Sequence, residues 1–167
     1  MAAPSIAWYR LTKATAGTYS AITSLNFGTV TAGAWSVMRV VRPKVTVNSI
    51  QSAEWWFSDI AGVRSAASVG MGTANSWKHF MTIYGTYTAA RAIVGATAGY
   101  TAASPKGSAG VSGSFKEVPQ STGSGVAYSA TSLNAYGDVC VFTIKVPSAA
   151  GNGAHTAWGY QLKYSYT

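Results

Sequence analysis

Apolar and polar side chains alternate with a period of two along most of the patterned stretches of the chain, the signature of half-buried β-strands. Residues 5–11 set Ile6 and Trp8 on one side and Tyr9 and Leu11 on the other. Segments 24–30, 34–41 and 44–50 follow in quick succession, each rich in Val, Thr, Ile or aromatic residues. Pro43 falls between two of these runs and has no N–H to give a ladder, so it predicts a strand end or a sheet edge. Further strands are expected at 54–59 and 77–87, then as a long closing pair at 138–146 and 156–166. Glycine-rich punctuation at 31–33, 61–62, 70–72 and 151–153 separates the runs.

The closing pair carries the clearest pattern. Val139, Val141 and Thr143 alternate with Cys140, Phe142 and Ile144, so both faces are apolar, as in a strand buried on both sides. Residues 147–154 form a turn-forming connection. Beyond it Trp158, Tyr160, Leu162, Tyr164 and Tyr166 share one face, with Gln161 and Lys163 on the other. Helical evidence is limited to the alanine-bearing stretches 64–69 and 88–94, both too short to persuade. Segments 102–113 and 120–125 read as loops, where specificity usually resides. A length of 167 residues with 48% hydrophobic content then predicts a single all-β domain across 1–167.

Charge narrows the partners. Only 10% of residues are charged, which excludes a coiled coil, a long solvated helix and a charge-rich disordered tail. The net charge is +8 and the acids are just Glu54, Asp59, Glu117 and Asp138, a balance that favours anionic partners. Most basic residues stand apart, and only Arg39, Arg42 and Lys44 crowd together. A nucleic-acid binder concentrates its charge into a stripe, so direct nucleic-acid binding is disfavoured and a docking surface for an acidic protein is preferred. No apolar run approaches the roughly 20 residues of a membrane-spanning helix, and no membrane insertion is expected. The first residues lack the basic head and apolar stretch of a secretion signal, so synthesis in the cytoplasm is expected.

Candidate chemistry is sparse. Cys140, the single cysteine, excludes an intramolecular disulfide and reads as a buried structural thiol. His79 and His155 are the only histidines, too few for a zinc site of recognisable spacing. No Gly-x-Ser-x-Gly elbow is present, and the carboxylates are scattered. Gly28 and Gly33 have the spacing of a phosphate loop, but Ala34 and Trp35 stand where Lys and Ser or Thr are required. The inventory therefore predicts no enzyme, no cofactor and no metal. Trp55, Trp56 and Phe57 are consecutive, so on a strand Trp56 must face away from the other two.

From Leu25 the sequence Leu-Asn-Phe-Gly-Thr-Val-x-Ala-Gly, followed by the alternating run 37–42 and Val45-Thr-Val, resembles the opening strands of immunoglobulin-like β-sandwich modules. Such modules recur in structural proteins of tailed bacteriophages. Val141-Phe-Thr-Ile-Lys-Val-Pro-Ser-Ala-Ala-Gly and Tyr160-Gln-Leu-Lys-Tyr-Ser-Tyr resemble their last two strands. The likeness covers residues 20–60 and 136–167, and departs from the pattern at Val40-Val-Arg-Pro-Lys, where many sandwiches carry an Asn-Gly-type turn.

The resemblance implies an immunoglobulin-like two-sheet antiparallel β-sandwich. It also implies a non-enzymatic virion subunit made in the host cytoplasm, serving as capsid decoration or as a tail, neck or baseplate component. Its partners would be other virion proteins and copies of itself, with residues 1–5 as an arm reaching a neighbour. The expected contact surface comprises Arg39, Arg42 and Lys44 with the exposed fraction of Trp55, Trp56, Tyr164 and Tyr166. Competing readings are a carbohydrate- or receptor-binding module that stacks ligands on exposed aromatics, and a nucleic-acid-associated protein.

Overall fold

The structure is a computed structural model that describes residues 3–11, 19–36, 38–59, 78–84, 116–118, 126–128, 136–146, 148 and 158–166. These residues form nine strands: β1 (Ser5–Leu11), β2 (Tyr19–Ile22), β3 (Arg39–Val47), β4 (Ile50–Asp59), β5 (Lys78–Tyr84), β6 (Lys116–Glu117), β7 (Val126–Tyr128), β8 (Val139–Lys145) and β9 (Trp158–Tyr166). A six-stranded sheet runs β2-β1-β3-β8-β5-β6 and a three-stranded sheet runs β7-β4-β9. Every pairing is antiparallel. The chain is an all-β, two-sheet sandwich. Its order β1-β3-β8-β5 facing β4-β9 is the A-B-E-D against C-F arrangement of the immunoglobulin fold. Among the described residues β2, β6 and β7 are additions, and none occupies the place of strand G beside β9.

Burial between the layers explains the arrangement. Phe142 on β8 meets Trp55 on β4 edge-on at 5.2 Å between ring centroids and Tyr160 on β9 at 4.3 Å. Around them Val41, Val45, Cys140 and Ile144 from the large sheet close on Ile50 and Ala53 from the small one. Trp8 on β1 adds a 5.1 Å contact with Trp55. Tyr160, Leu162 and Tyr164 pack against this core, as the alternation of the last strand predicts. Val139, Val141 and Thr143, on the opposite face of β8, are also fully buried. The prediction of a strand buried on both sides therefore holds.

Several boundaries differ from the sequence reading. Residues 24–30 bury Phe27 and half-bury Leu25 and Val30 but join no ladder. Asn26 accepts a 2.7 Å bond from the Gly28 N–H through Oδ1, Gly28 adopts a φ of 74°, and the segment turns instead of pairing. The strand beside β1 is Tyr19–Ile22. Pro43 lies inside β3 and not at its end, opposite Trp8. Its carbonyl accepts from Gly137 N, so its missing N–H faces that side as well, just beyond the last β3–β8 pair, Val41 with Cys140. No β1 bond is lost.

The run read as 44–50 is broken at Asn48, whose φ of 56° turns the chain from the large sheet into the small one. Residues 34–36 continue alongside β8 with a bulge: Trp35 sits opposite Lys145 but Arg39 sits opposite Phe142, one residue out of step. Ser36 repairs the ladder there, its Oγ accepting from Ile144 N at 3.0 Å. The two closing strands lie in different sheets, β8 between β3 and β5 and β9 beside β4. Pro4 is buried and Ser5 pairs with Val47, so that end of the expected 1–5 arm belongs to the sandwich. Segments 64–69, 88–94, 102–113 and 120–125 lie outside the described residues.

Two substitutions test this account. Phe142→Ala should cost about 3–5 kcal/mol in a urea unfolding titration, because its cavity sits between both layers. Asn48→Val should cost about 1–2 kcal/mol while Asn48→Gly stays near neutral, since only the β-branched residue resists a left-handed turn.

Candidate functional site

The core fixes which side chains of β3 face outward. Val41 and Val45 point between the sheets, so Val40, Arg42 and Lys44 must point the other way. Along that outer face burial fades: Met38 and Val40 are fully buried, Arg42 and Lys44 half-buried, and Thr46 exposed. Tyr9 lies opposite Arg42 on β1, and Tyr19 follows on β2. Tyr136 joins them through an isolated bridge to Lys44. These five residues form one surface cluster.

Its geometry is ordered by aromatic and cationic contacts. Tyr19 and Tyr136 stack at 5.0 Å with 19° between their planes, and Tyr9 meets Tyr136 edge-on at 5.5 Å. The Arg42 guanidinium carbon lies 5.3 Å from the Tyr136 ring centroid and 5.8 Å from that of Tyr19. Lys44 Nζ lies 5.3 Å from the Tyr136 centroid. Each such contact contributes about 0.5–1 kcal/mol at an exposed site. Arg42 is further held by donating from Nε to Gly137 O at 2.5 Å and from Nη1 to the Tyr19 hydroxyl at 2.8 Å. Tyr136 is 36% exposed, so the cluster is open to contact.

The other expected contact residues are placed differently. Arg39 is separated from Arg42 and Lys44: it donates from Nε to Asn26 O and steadies the 24–30 segment. Trp55 and Trp56 are both buried, so their expected exposed fraction is absent, a correction to the sequence reading. Trp55 fills the core between the sheets, while Trp56 is covered on the opposite face of β4. Tyr164 is half-buried against the core and Tyr166 is 41% exposed, 6.4 Å from it, at the end of β9 and in the other sheet from the cluster. Sequence reasoning named Arg42 and Lys44 but missed Tyr9, Tyr19 and Tyr136. The outward side of Tyr9 was legible from alternation, whereas Tyr136 joins only through tertiary pairing.

Among the described residues, His79, Cys140 and the Tyr160 hydroxyl lie in the interior, and His155 lies outside the described residues. His79 on β5 is buried with Nδ1 2.7 Å from the Tyr160 hydroxyl on β9, a polar tie between the two sheets. Burial lowers the His79 pKa to about 3, so its imidazole is neutral at pH 7. Burial pushes the Tyr160 hydroxyl and the Cys140 thiol well above their usual ranges. Among the described residues, no three His, Cys, Asp or Glu side chains are grouped to hold a metal ion. The surface cluster offers ordered cations and phenol rings, which is the chemistry of recognition.

No protein-family model matches the sequence, and no curated protein or solved structure shows significant similarity to it.

The buried imidazole makes stability depend on pH. Unfolded His79 binds a proton below pH 6.5 while the folded form stays neutral to about pH 3. The His79 contribution to stability is therefore fully present above pH 6.5 and falls by about 1.4 kcal/mol for each unit of acidification between there and about pH 3. Urea midpoints at pH 7 and pH 5 should show this loss, and imidazole resonances of His79 should not titrate above pH 4.

Proposed function

We propose that this protein is a non-enzymatic structural subunit of a bacteriophage particle, a capsid decoration protein or a tail, neck or baseplate component. It binds its neighbours through the Tyr9, Tyr19, Arg42, Lys44 and Tyr136 face. The observation that carries the reading is this cluster, an ordered group of Tyr and Arg side chains on the outer surface of a sandwich. Tyr and Arg are the side chains that most often dominate protein interfaces. Arg42, already fixed by two hydrogen bonds, loses little conformational freedom when a partner docks.

Supporting this are the resemblance of both chain ends to phage sandwich modules and the immunoglobulin-like strand order. Tyr164 and Tyr166, at the end of β9, are suited to further contacts with copies of the chain. Many modest contacts suffice in a particle, because multivalency raises the effective affinity. The carbohydrate-binding reading is less well supported: a sugar platform needs an open ring face, and Tyr19 and Tyr136 stack on each other.

Mass spectrometry and electron microscopy of purified source particles test the reading. The chain should be present in stoichiometric amounts, with density for a two-layer sandwich. Tyr136→Ala combined with Lys44→Glu should lower its incorporation by about tenfold without unfolding it. Absence from the particles, with strictly monomeric behaviour in solution, would overturn it.

A further inference from the structure

We infer that the partner of the tyrosine–cation face is an acidic segment of a different protein, and not a second copy of this chain. The inference rests on the proposed function in taking this face as a contact surface, and adds the chemistry of what it contacts.

The first argument is the demand of the face itself. Arg42 spends Nε and Nη1 on Gly137 O and the Tyr19 hydroxyl, which leaves its Nη2 amine for a further acceptor. Lys44 lies over the Tyr136 ring, a contact that uses none of its three N–H donors in a hydrogen bond. Neither cation forms an ion pair among the described residues. Two neighbouring positive charges with donors to spare, beside phenol rings, call for carboxylate acceptors.

The second argument is supply. The whole chain has four carboxylate side chains, Glu54, Asp59, Glu117 and Asp138, against twelve Lys and Arg. Glu54 already lies 3.5 Å from Lys163. A second copy has almost nothing acidic to place against this particular face. The acceptors have to come from another chain.

The third argument separates a protein from a nucleic acid. The other cations whose side chains are described do not extend the pair into a stripe. Arg39 is bound to Asn26 O, Lys145 to Gly33 O with its ammonium over Trp35, and Lys163 to Glu54. Arg10 follows Ile6 and Trp8 on the opposite face of β1. A footprint of two charges flanked by three tyrosines matches a short acidic peptide better than a phosphate backbone, which rewards a continuous basic track.

The test uses the full chain with a fluorescein-labelled twelve-residue peptide of alternating Glu and Gly, its Lys–Gly counterpart, and a single-stranded oligothymidine of equal charge. Anisotropy at low salt should show binding of the Glu peptide and none of the Lys peptide. Lys44→Glu should weaken it about five- to tenfold, whereas Lys163→Glu, an equal change of net charge on the other sheet, should change it less than twofold. Circular dichroism confirms that both variants are folded. Equal losses in the two variants would mean general charge attraction and overturn the inference, as would no binding of the Glu peptide. Tighter binding of the oligothymidine with the same Lys44 dependence would assign the face to nucleic acid instead. Particle incorporation is read separately: a chain present in particles that ignores the peptide sinks only this inference, and one that binds the peptide but is absent from particles sinks only the proposed function.

Discussion

The facing of side chains across the described large sheet follows from the contact of Phe142 with Trp55 and Tyr160. These rings come from β8, β4 and β9, so one side chain of the large sheet holds two strands of the small one. Once Phe142 points inward, the pleat puts Cys140 and Ile144 inward as well and turns Val139, Val141 and Thr143 outward. Antiparallel pairing carries this parity to β3, where Val41 lies opposite Cys140, and then to β1, where Trp8 lies opposite Pro43. Arg42, Lys44 and Tyr9 face outward for the same reason. The surface cluster is thus a consequence of core packing two strands away. A one-residue slip of β3 would bury both cations and expose Val41 and Val45.

Much of this was legible in the sequence because period-two alternation survives wherever one face is buried. The face assignments of β1 and β9 and the two-sided burial of β8 follow from it directly. Alternation does not report whether a backbone is hydrogen-bonded. The 24–30 segment buries Phe27 through the same pattern as a strand, yet Asn26 and Gly28 bend it into a turn. Nor does it report where one strand becomes two. The residues from 39 to 59 read as a broken series with a stop at Pro43, but the break is at Asn48, because Pro43 sits where the β8 ladder has already ended.

The candidate site was half legible for a related reason. Arg42 and Lys44 are close in sequence and share a face, so a basic cluster could be read; Arg39 was grouped with them although odd and even positions of a strand face apart. The tyrosines come from β1, β2 and the 136–138 segment, and no local pattern announces that they meet. Trp55 and Trp56 misled in the opposite sense. One of two adjacent residues on a strand usually faces solvent, but both faces of β4 are covered at this point.

The position of the cluster follows from how the outer face of the large sheet is covered. Over β8 and the start of β3 that face is closed, with Met38, Val40, Val139 and Val141 fully buried. Toward β1 and β2 it opens, through half-buried Arg42 and Lys44 to exposed Thr46. A cation placed among Val139, Val141 and Val40 would face full desolvation; one placed at the open end keeps water on part of its surface and leans its stem on a ring. Arg42 and Lys44 occupy the boundary between these regimes, where their charge is retained and their geometry is still constrained by Tyr136 and Tyr19. At that boundary two neighbouring positive charges are both hydrated and ordered, and order is what distinguishes a specific docking face from a merely basic surface.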